Sequence, residues 1–402
     1  MNTVHDTPGR SDDPAAPLLA RAQTLVTDLS LSSVHAWKTQ HPDGLIVGYM
    51  PIYIPRPLLE ALGCLPVSLF GGGDQVDIIK GDSYFQSYIC HIPRSTIELL
   101  QSHRYDVLDA VLFPSICDVI RNLSGMWKLL HPQQLAEYVD LPQNFSPDIG
   151  GRFYRLEMQR IASALTSRGA RPLTDDALRE ACARENVRRA AIRDMDAIRA
   201  RQPWRIAASE AYLIIRAGGV LDTVEHTELI RAFTAAVAER KPRIYDNVRV
   251  IVVGSFCEQP PIDLIRTLEK AGCDILDDDF QLGLRLIEGD IDTSPNQDPL
   301  SALAAAFIDH GAATASRYIA DCEKGAALVH KVRTLGADGV IFAAASFCDP
   351  ALLDQPMLEA ALDRADIPYT AFKFSENTGQ FQVIREQAGA FSDSVKLWGK
   401  VA

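Results

Sequence analysis

The chain has 402 residues, 47% of them hydrophobic and 23% charged, the balance of an ordinary soluble globular protein too long for one core, so two or three domains are expected. Its net charge of -12 excludes a protein whose main partner is nucleic acid, because phosphate binding needs a surplus of Lys and Arg. The polar opening "MNTVHDTPGRSDDPAAP" has no apolar h-region, and no run of about 18 apolar residues follows. The expectation is a cytoplasmic protein without membrane spans, with residues 1–30 a flexible tail and the start of a first helix.

A first α/β domain is expected over residues 31–150. Its opening pattern is a strand from Leu45 to Tyr49, a proline-marked loop, a helix from Pro57 to Leu62 closed by Gly63, and a strand from Leu65 to Phe70. Strand, helix and strand with short connections make a βαβ unit, hence parallel strands with buried faces. "FGGGDQVD", Phe70 to Asp77, is glycine-rich, but it lacks the G-x-G-x-x-G spacing and opens no helix, so it reads as a flexible turn beside a site. Further on, the apolar run "AVLFP" ends in Ser115-Ile116-Cys117-Asp118, followed by a helix and the strand "YVDLP".

Residues 151–245 have a different texture, nearly without strand signals. "LTDDALREACARENVRRAAIRDMDAIRARQP" offers Thr174 as N-cap, acidic residues in the first turn, apolar positions at helical spacing and Pro203 as terminator. A second helical run is expected from Ser209 through Glu239. The insert is rich in arginine (Arg152, Arg155, Arg160, Arg184, Arg188, Arg189 among others). A solvated helix face is the default explanation; a surface for a polyphosphate or an acidic partner subunit is the sharper one.

Residues 246–402 repeat the first pattern as a second α/β domain: strand "RVIVVGSF", loop "CEQPP", helix "IDLIRTLEKAG", strand "CDILDD", then the apolar run "GVIFAAA" ending in Ser346-Phe347-Cys348-Asp349, a helix and the strand "IPYTAFKF". Even the helix exits match, "ALGCLP" against "KAGCDI". Offsets of 209 residues between Cys64 and Cys273 and of 231 between Cys117 and Cys348 fit a duplication with loop insertions. The expected fold class is therefore α/β, two related parallel-sheet domains of Rossmann or flavodoxin-like type with a helical insert between them.

Eight cysteines in a long cytoplasmic chain are free thiols or metal ligands more often than disulfides. No CxxC pair occurs, so any metal site is assembled from distant segments. In parallel α/β sheets ligands gather at the carboxyl ends of the strands, where Cys117 and Cys348 both stand, and a pseudo-twofold arrangement would aim both at one interdomain cleft. The competing reading is two small buried residues filling a turn; the polar neighbours Ser and Asp favour ligands. Cys90, just before an apparent helix and flanked by His91 and Arg94, has the setting that favours thiolate over thiol. Cys257 in "GSFCEQPP" also stands at a strand exit and is the next candidate. Cys64 and Cys273, each between a helix-ending glycine and a strand, read as core; Cys182, inside the helical insert, and Cys322, in an expected helix, read as structural. Scattered thiolates suit an iron-sulfur cluster better than structural zinc, which takes ligands in close pairs. No G-x-x-x-x-G-K-[ST], G-x-S-x-G or H-E-x-x-H is present, so ATP hydrolysis and the ordinary hydrolase and metalloprotease readings lose support.

Five stretches, "YFQSYICHIPRSTIEL", "LFPSICDVIRNLSGMWK", "FCEQPP", "VIFAAASFCDPALL" and "AFKFSENTGQFQVIREQ", resemble the C (gamma) subunits of ATP-dependent benzoyl-CoA reductases, within the wider benzoyl-CoA reductase and 2-hydroxyacyl-CoA dehydratase family. The likeness runs from about Leu31 to Trp398. It implies a 4Fe-4S cluster held by Cys90, Cys117 and Cys348, low-potential electron transfer, and dearomatisation of benzoyl-CoA to cyclohexa-1,5-diene-1-carbonyl-CoA. It further implies a homologous cluster-carrying subunit, two activator subunits that bind ATP and Mg and hydrolyse the ATP, and reduced ferredoxin as donor. Quenching the ring anion needs positioned proton donors, for which His91 and Glu258 are the candidates. Two alternatives stand beside this reading: a subunit of a 2-hydroxyacyl-CoA dehydratase, and a cluster-free scaffold subunit with its cysteines packed in cores.

Overall fold

The computed structural model describes residues 13–241, 243–317, 323–375 and 381–398. In chain order the elements are α1 (Ala16–Thr27), α2 (Ser32–Gln40), β1 (Ile46–Tyr49), α3 (Arg56–Ala61), β2 (Leu65–Ser68), α4 (His91–Gln101), β3 (Ala110–Pro114), α5 (Asp118–Leu130), β4 (Leu135–Val139), α6 (Arg152–Arg168), α7 (Asp175–Arg201), α8 (Ala208–Ala217), α9 (Thr223–Ala238), β5 (Val248–Val253), α10 (Ile262–Lys270), β6 (Cys273–Asp278), α11 (Leu282–Arg285), α12 (Pro299–His310), α13 (Ala326–Leu335), β7 (Gly339–Ala345), α14 (Asp349–Arg364), β8 (Tyr369–Phe374) and α15 (Phe381–Trp398). Among the described residues no helix is long and apolar enough to cross a membrane.

The eight strands form two four-stranded sheets of identical order, β2-β1-β3-β4 and β6-β5-β7-β8, with every pairing parallel. Both βαβ units stand where the sequence puts them. The glycines that close α3 and α10, Gly63 at φ 72° and Gly272 at φ 87°, take the left-handed conformation that ends a helix cheaply only in glycine. In each sheet the chain starts near the middle, steps outward once, returns and proceeds the other way. The crevice at the point of reversal thus opens between β1 and β3 in one sheet and between β5 and β7 in the other.

Helices α6 to α9 form the expected helical layer. Thr174 caps α7 by accepting the Ala177 N–H at 3.2 Å. The expected run from Ser209 to Glu239 is two helices, because the chain turns at Gly218-Gly219 and restarts at Asp222, which accepts the Glu225 N–H at 2.8 Å. Helix α1 packs its Ala22 against this layer. The segment expected to be helical around Cys322 is interrupted: its flanks at Ala315–Ser316 and Lys324–Gly325 are turns, and α13 begins only at Ala326, after Gly325 at φ 90°. Cys322 itself lies outside the described residues, as do residues 376–380 of the last resembling stretch.

The solvated-face reading of the arginines fails for the inner side of α7. Arg188, Arg189 and Arg199 are all buried. Arg188 reaches the Glu185 carboxylate and donates to the Leu284 carbonyl at 3.0 Å, and Arg189 donates to the Ile287 carbonyl at 2.8 Å. Arg199 donates to Asp278 at 2.5 Å. These side chains fasten the helical layer to the end of β6 and to α11, and one-dimensional periodicity cannot reveal such distant partners. One apolar core runs without a break through both sheets, from Val47 and Val111 to Val252 and Ala343.

Candidate functional site

The two Ser-x-Cys-Asp segments are the same turn built twice. Ser115 donates its N–H to the carbonyl of Val139, the last residue of β4, at 2.9 Å; Ser346 donates its N–H to that of Phe374, the last residue of β8, at 2.7 Å. Each serine is thereby fixed to the neighbouring strand's end, and the cysteine two residues on becomes the N-cap of the following helix, Cys117 for α5 and Cys348 for α14. The Val119 and Ile120 N–H groups favour the Cys117 thiolate and the Ala351 N–H that of Cys348, although neither sulfur caps its helix by a hydrogen bond. The turns differ at the middle residue: Ile116 is buried, whereas Phe347 is 50% exposed and left-handed at φ 65°.

Cys90 is the N-cap of a third helix, α4. The approach to it is held by Glu98, whose carboxylate accepts the N–H groups of Ile79, Lys80 and Gly81 at 2.9, 2.6 and 3.0 Å. Gly81 packs so closely on α4 that a Cβ there would lie 2.1 Å from the Arg94 carbonyl oxygen. The glycine-rich stretch is likewise packed rather than merely loose: a Cβ on Gly71, at φ 72°, would lie 2.2 Å from the Ser95 hydroxyl of α4. From the other sheet Glu258, buried at 2% exposure, accepts the His91 N–H at 3.0 Å. That bond joins the loop after β5 to the helix that begins at Cys90.

These segments bring four thiols within electrostatic reach of one another. Burial pushes the Cys90 thiol well up, and Glu258, Cys348, Cys257 and Cys117 add to the effect. Cys257 is pushed well up by burial and then by Cys348, Cys117 and Glu258. Cys348 is raised to about 12, chiefly by burial, with Glu258 and Cys117 contributing. Burial likewise raises Cys117, against the pull of the Ile120 and Val119 N–H groups. By contrast Cys64, Cys182 and Cys273 are buried with no other thiol among the groups that shift them. They are core residues, as the sequence implies.

Of the residues singled out from sequence, Cys90, Cys117, Cys257, Cys348 and Glu258 lie within electrostatic reach of one another, and the His91 N–H is bound by Glu258. Asp279 was missed. Its carboxylate accepts the N–H groups of Gly254 and Ser255 at 2.7 and 3.0 Å and so fixes the exit of β5; the only signal was the run Asp277-Asp278-Asp279 closing β6. Burial raises its pKa to about 7.

Among the described residues no three His, Cys, Asp or Glu side chains converge closely enough to hold a single metal ion. A four-iron cluster makes a different demand, because each thiolate binds its own iron. Thiols carried by separate elements and within electrostatic reach of one another are compatible with such a group. Burial that leaves free thiols protonated is reversed on coordination, since a metal-bound thiol is deprotonated.

Two doubly wound sheets, each delivering a cysteine turn from its point of reversal, are carried here by a sequence whose residues 51–395 match the family model of the 2-hydroxyglutaryl-CoA dehydratase D-component; the chain belongs to that family. Within it, the chain is 46% identical to the C subunit of benzoyl-CoA reductase from Thauera aromatica over 384 residues, which span 95% of this chain and 99% of the relative. It is 25% identical to the (R)-phenyllactyl-CoA dehydratase beta subunit of Clostridium sporogenes, over 87% of this chain and 91% of the relative. The beta subunit of (R)-2-hydroxyglutaryl-CoA dehydratase from Acidaminococcus fermentans is also 25% identical, over 87% and 92%. The resemblance drawn from the five stretches is borne out, and with it the expected class, a subunit of an oxidoreductase.

Proposed function

We propose that the chain is the iron-sulfur subunit of an ATP-dependent, ferredoxin-driven benzoyl-CoA reductase that dearomatises benzoyl-CoA to cyclohexa-1,5-diene-1-carbonyl-CoA. What supports this reading is that Cys90, Cys117 and Cys348 are close enough to influence one another's ionisation, in a chain whose alignment covers 99% of a benzoyl-CoA reductase subunit. In this reading those three cysteines hold a 4Fe-4S cluster, which when bound supplies electrons near the negative end of the range such clusters reach. The protein's own part is to bury the thiols, to direct the Val119, Ile120 and Ala351 N–H groups at sulfur, and to keep water from the cleft. Glu258, engaged at the His91 N–H, acts as a positioning residue for the start of α4. The His91 imidazole, beside Cys90, is the candidate proton donor on this chain. ATP and Mg belong to partner activator subunits, and the remaining partners are a homologous cluster-carrying subunit and reduced ferredoxin.

The test is iron and acid-labile sulfide content, with the electron paramagnetic resonance spectrum of the reduced, anaerobically purified complex, before and after Cys117→Ser. Loss of about four irons per copy of this chain, together with one reduced-cluster signal, supports the assignment. Unchanged iron and spectrum remove Cys117 as a ligand, and iron-free protein leaves the scaffold reading. A dehydratase subunit is the second reading, favoured by the family's description; the 46% identity to a reductase subunit against 25% to the dehydratase subunits weighs the other way. Rates on benzoyl-CoA and on a 2-hydroxyacyl-CoA, measured with the same complex, separate the two.

A further inference from the structure

We infer that the second half of the chain carries a binding site for a flat aromatic ring that bears an N–H donor and no negative charge, in a cavity of about 480 Å³ bounded by β5, β7, α13 and α14. The inference stands apart from the cluster reading above.

The cavity is written into the duplication. Three, six and ten residues past Cys117, α5 carries Ile120, Leu123 and Trp127, which are 1%, 0% and 0% exposed. The same three positions past Cys348 hold Ala351, Asp354 and Leu358, and all of them line the cavity. Positions spaced i, i+3 and i+7 share one helix face, and each residue of the second set is smaller than its counterpart in the first. The first half thus fills with its own side chains a space that the second half leaves open.

What fills that space in the first half indicates what the second half would take. The Trp127 indole stacks on Tyr105 with 6.0 Å between ring centroids and meets Phe113 edge-on at 5.6 Å, while its Nε1–H donates to Gln134 at 2.9 Å. A ring of this kind suits such a place because its body is apolar and its N–H needs one acceptor. The cavity wall in the second half is again apolar and partly aromatic, from Ile251, Val253, Phe256, Leu328 and Phe342. The acceptor there is Asp354, a carboxylate where the first half has leucine, and it is 7% exposed. Its Oδ1 holds the Lys324 ammonium at 2.8 Å, which leaves a second carboxylate oxygen to accept from a ligand. The volume lies within the range usual for small-molecule sites, about 300–1,000 Å³.

The charges lining the cavity set the sign of the ligand. Lys324 is paired with Asp354, Lys331 with Asp277 at 2.7 Å, and Arg317 donates to backbone carbonyls, that of Ile308 at 2.6 Å. A carboxylate or phosphate would find these cations already engaged and would meet Asp279 and Glu288 as well. A neutral or cationic ring meets no such obstacle. Because Ala351 lies in the first turn of α14, an occupied cavity bears directly on the helix that begins at the Cys348 turn.

Equilibrium dialysis of the anaerobically purified complex against radiolabelled indole, tryptamine and indole-3-acetate tests the site, since the three share a ring and differ in charge. Leu358→Trp is the variant, because it restores the residue that the first half uses. The expected result is saturable binding of indole and tryptamine, loss of one indole site per copy of this chain in Leu358→Trp, and indole-3-acetate bound at least about tenfold more weakly than indole. No indole bound at up to about 1 mM, an unchanged indole stoichiometry in the variant, or indole-3-acetate bound as tightly as indole each overturn the inference. If Leu358→Trp does not assemble into the complex, Ala351→Ile, which restores the smaller of the two missing apolar side chains, is read in the same way.

Discussion

Replacing Arg199 with methionine should unbalance a heavily charged buried site. Arg199 is 1% exposed; its guanidinium donates to Asp278 at 2.5 Å and lies 3.4 Å from Asp196 and 3.6 Å from Asp277. Arg285 bridges to Asp278 at 2.6 Å, and Lys331 to Asp277 at 2.7 Å. Three cations thus face three carboxylates, and the substitution leaves two against three. Breaking a buried pair by removing one partner costs about 3–5 kcal/mol, because the surviving charge is stranded. The loss should depend on pH. Burial already raises the Asp196 pKa against the pull of Arg199 and Arg285, and without Arg199 it rises further. A carboxylate whose folded pKa lies above its unfolded value costs stability above that pKa and recovers it as pH falls toward the unfolded value. Urea unfolding of the full chain, prepared anaerobically, should therefore show about 3–5 kcal/mol lost at pH 8 and clearly less at pH 5.5. Arg199→Met combined with Asp278→Asn should recover at least about 1.5 kcal/mol by restoring the balance. A single-variant loss under about 1 kcal/mol, or one equal at both pH values, refutes the reasoning.

At Glu98 burial favours the neutral acid, but the N–H groups of Gly81, Ile79 and Lys80 outweigh it and hold the carboxyl below the usual glutamate range. Its contribution is present above the unfolded pKa and lost as pH falls through the folded one, so Glu98→Gln should lower stability at neutral pH by about 2 kcal/mol and remove part of the acid sensitivity seen in a pH series of unfolding midpoints. Asp279 has the opposite sign: with its pKa at about 7, wild-type stability should fall as pH rises from about 4 to 7, and Asp279→Asn should flatten that slope, with a difference of at most about 4 kcal/mol at pH 8. Gly81→Ala forces a Cβ to 2.1 Å from the Arg94 carbonyl oxygen and should cost about 1–3 kcal/mol by thermal unfolding. Gly125→Ala, in the middle of α5 where nothing lies within 4 Å of the added Cβ, should instead stabilise by about 0.5–1 kcal/mol.

Both βαβ units and both cysteine turns were legible because strand, helix and turn signals are local and the pattern occurs twice. Cys117 and Cys348 could be ranked as candidates from their strand exits alone, and the identical sheet orders put their two turns at equivalent places. Cys90 and Glu258 needed more, since Glu258 reaches the helix that begins at Cys90 by a hydrogen bond to the His91 N–H, across 167 residues, that no spacing encodes. The arginines of α7 misled for the same reason: Arg188 and Arg199 look like a solvated stripe until Leu284 and Asp278 are folded against them. The break between α8 and α9 was written in Gly218-Gly219 and Asp222, but the apolar run on either side masked it. Asp279 was hidden because a third consecutive aspartate at a strand end reads as solvent-facing, whereas its partners are the Gly254 and Ser255 N–H groups just past β5.

The unbroken apolar core shared by both sheets has a bearing on how the protein matures. Cys90 and Cys348 come from opposite halves of the chain, and their meeting depends on the packing of one sheet's half on the other, through buried residues such as Val111 and Ala343. Closing a loop of that length is entropically costly, so the halves must dock before the sulfurs become neighbours. On the cluster reading proposed above, iron delivered during synthesis would find isolated thiols, whereas iron delivered afterwards would find them already assembled. Assembly machinery serving this chain should accordingly act on the folded protein, and any inserted group would thereafter rivet the two halves together.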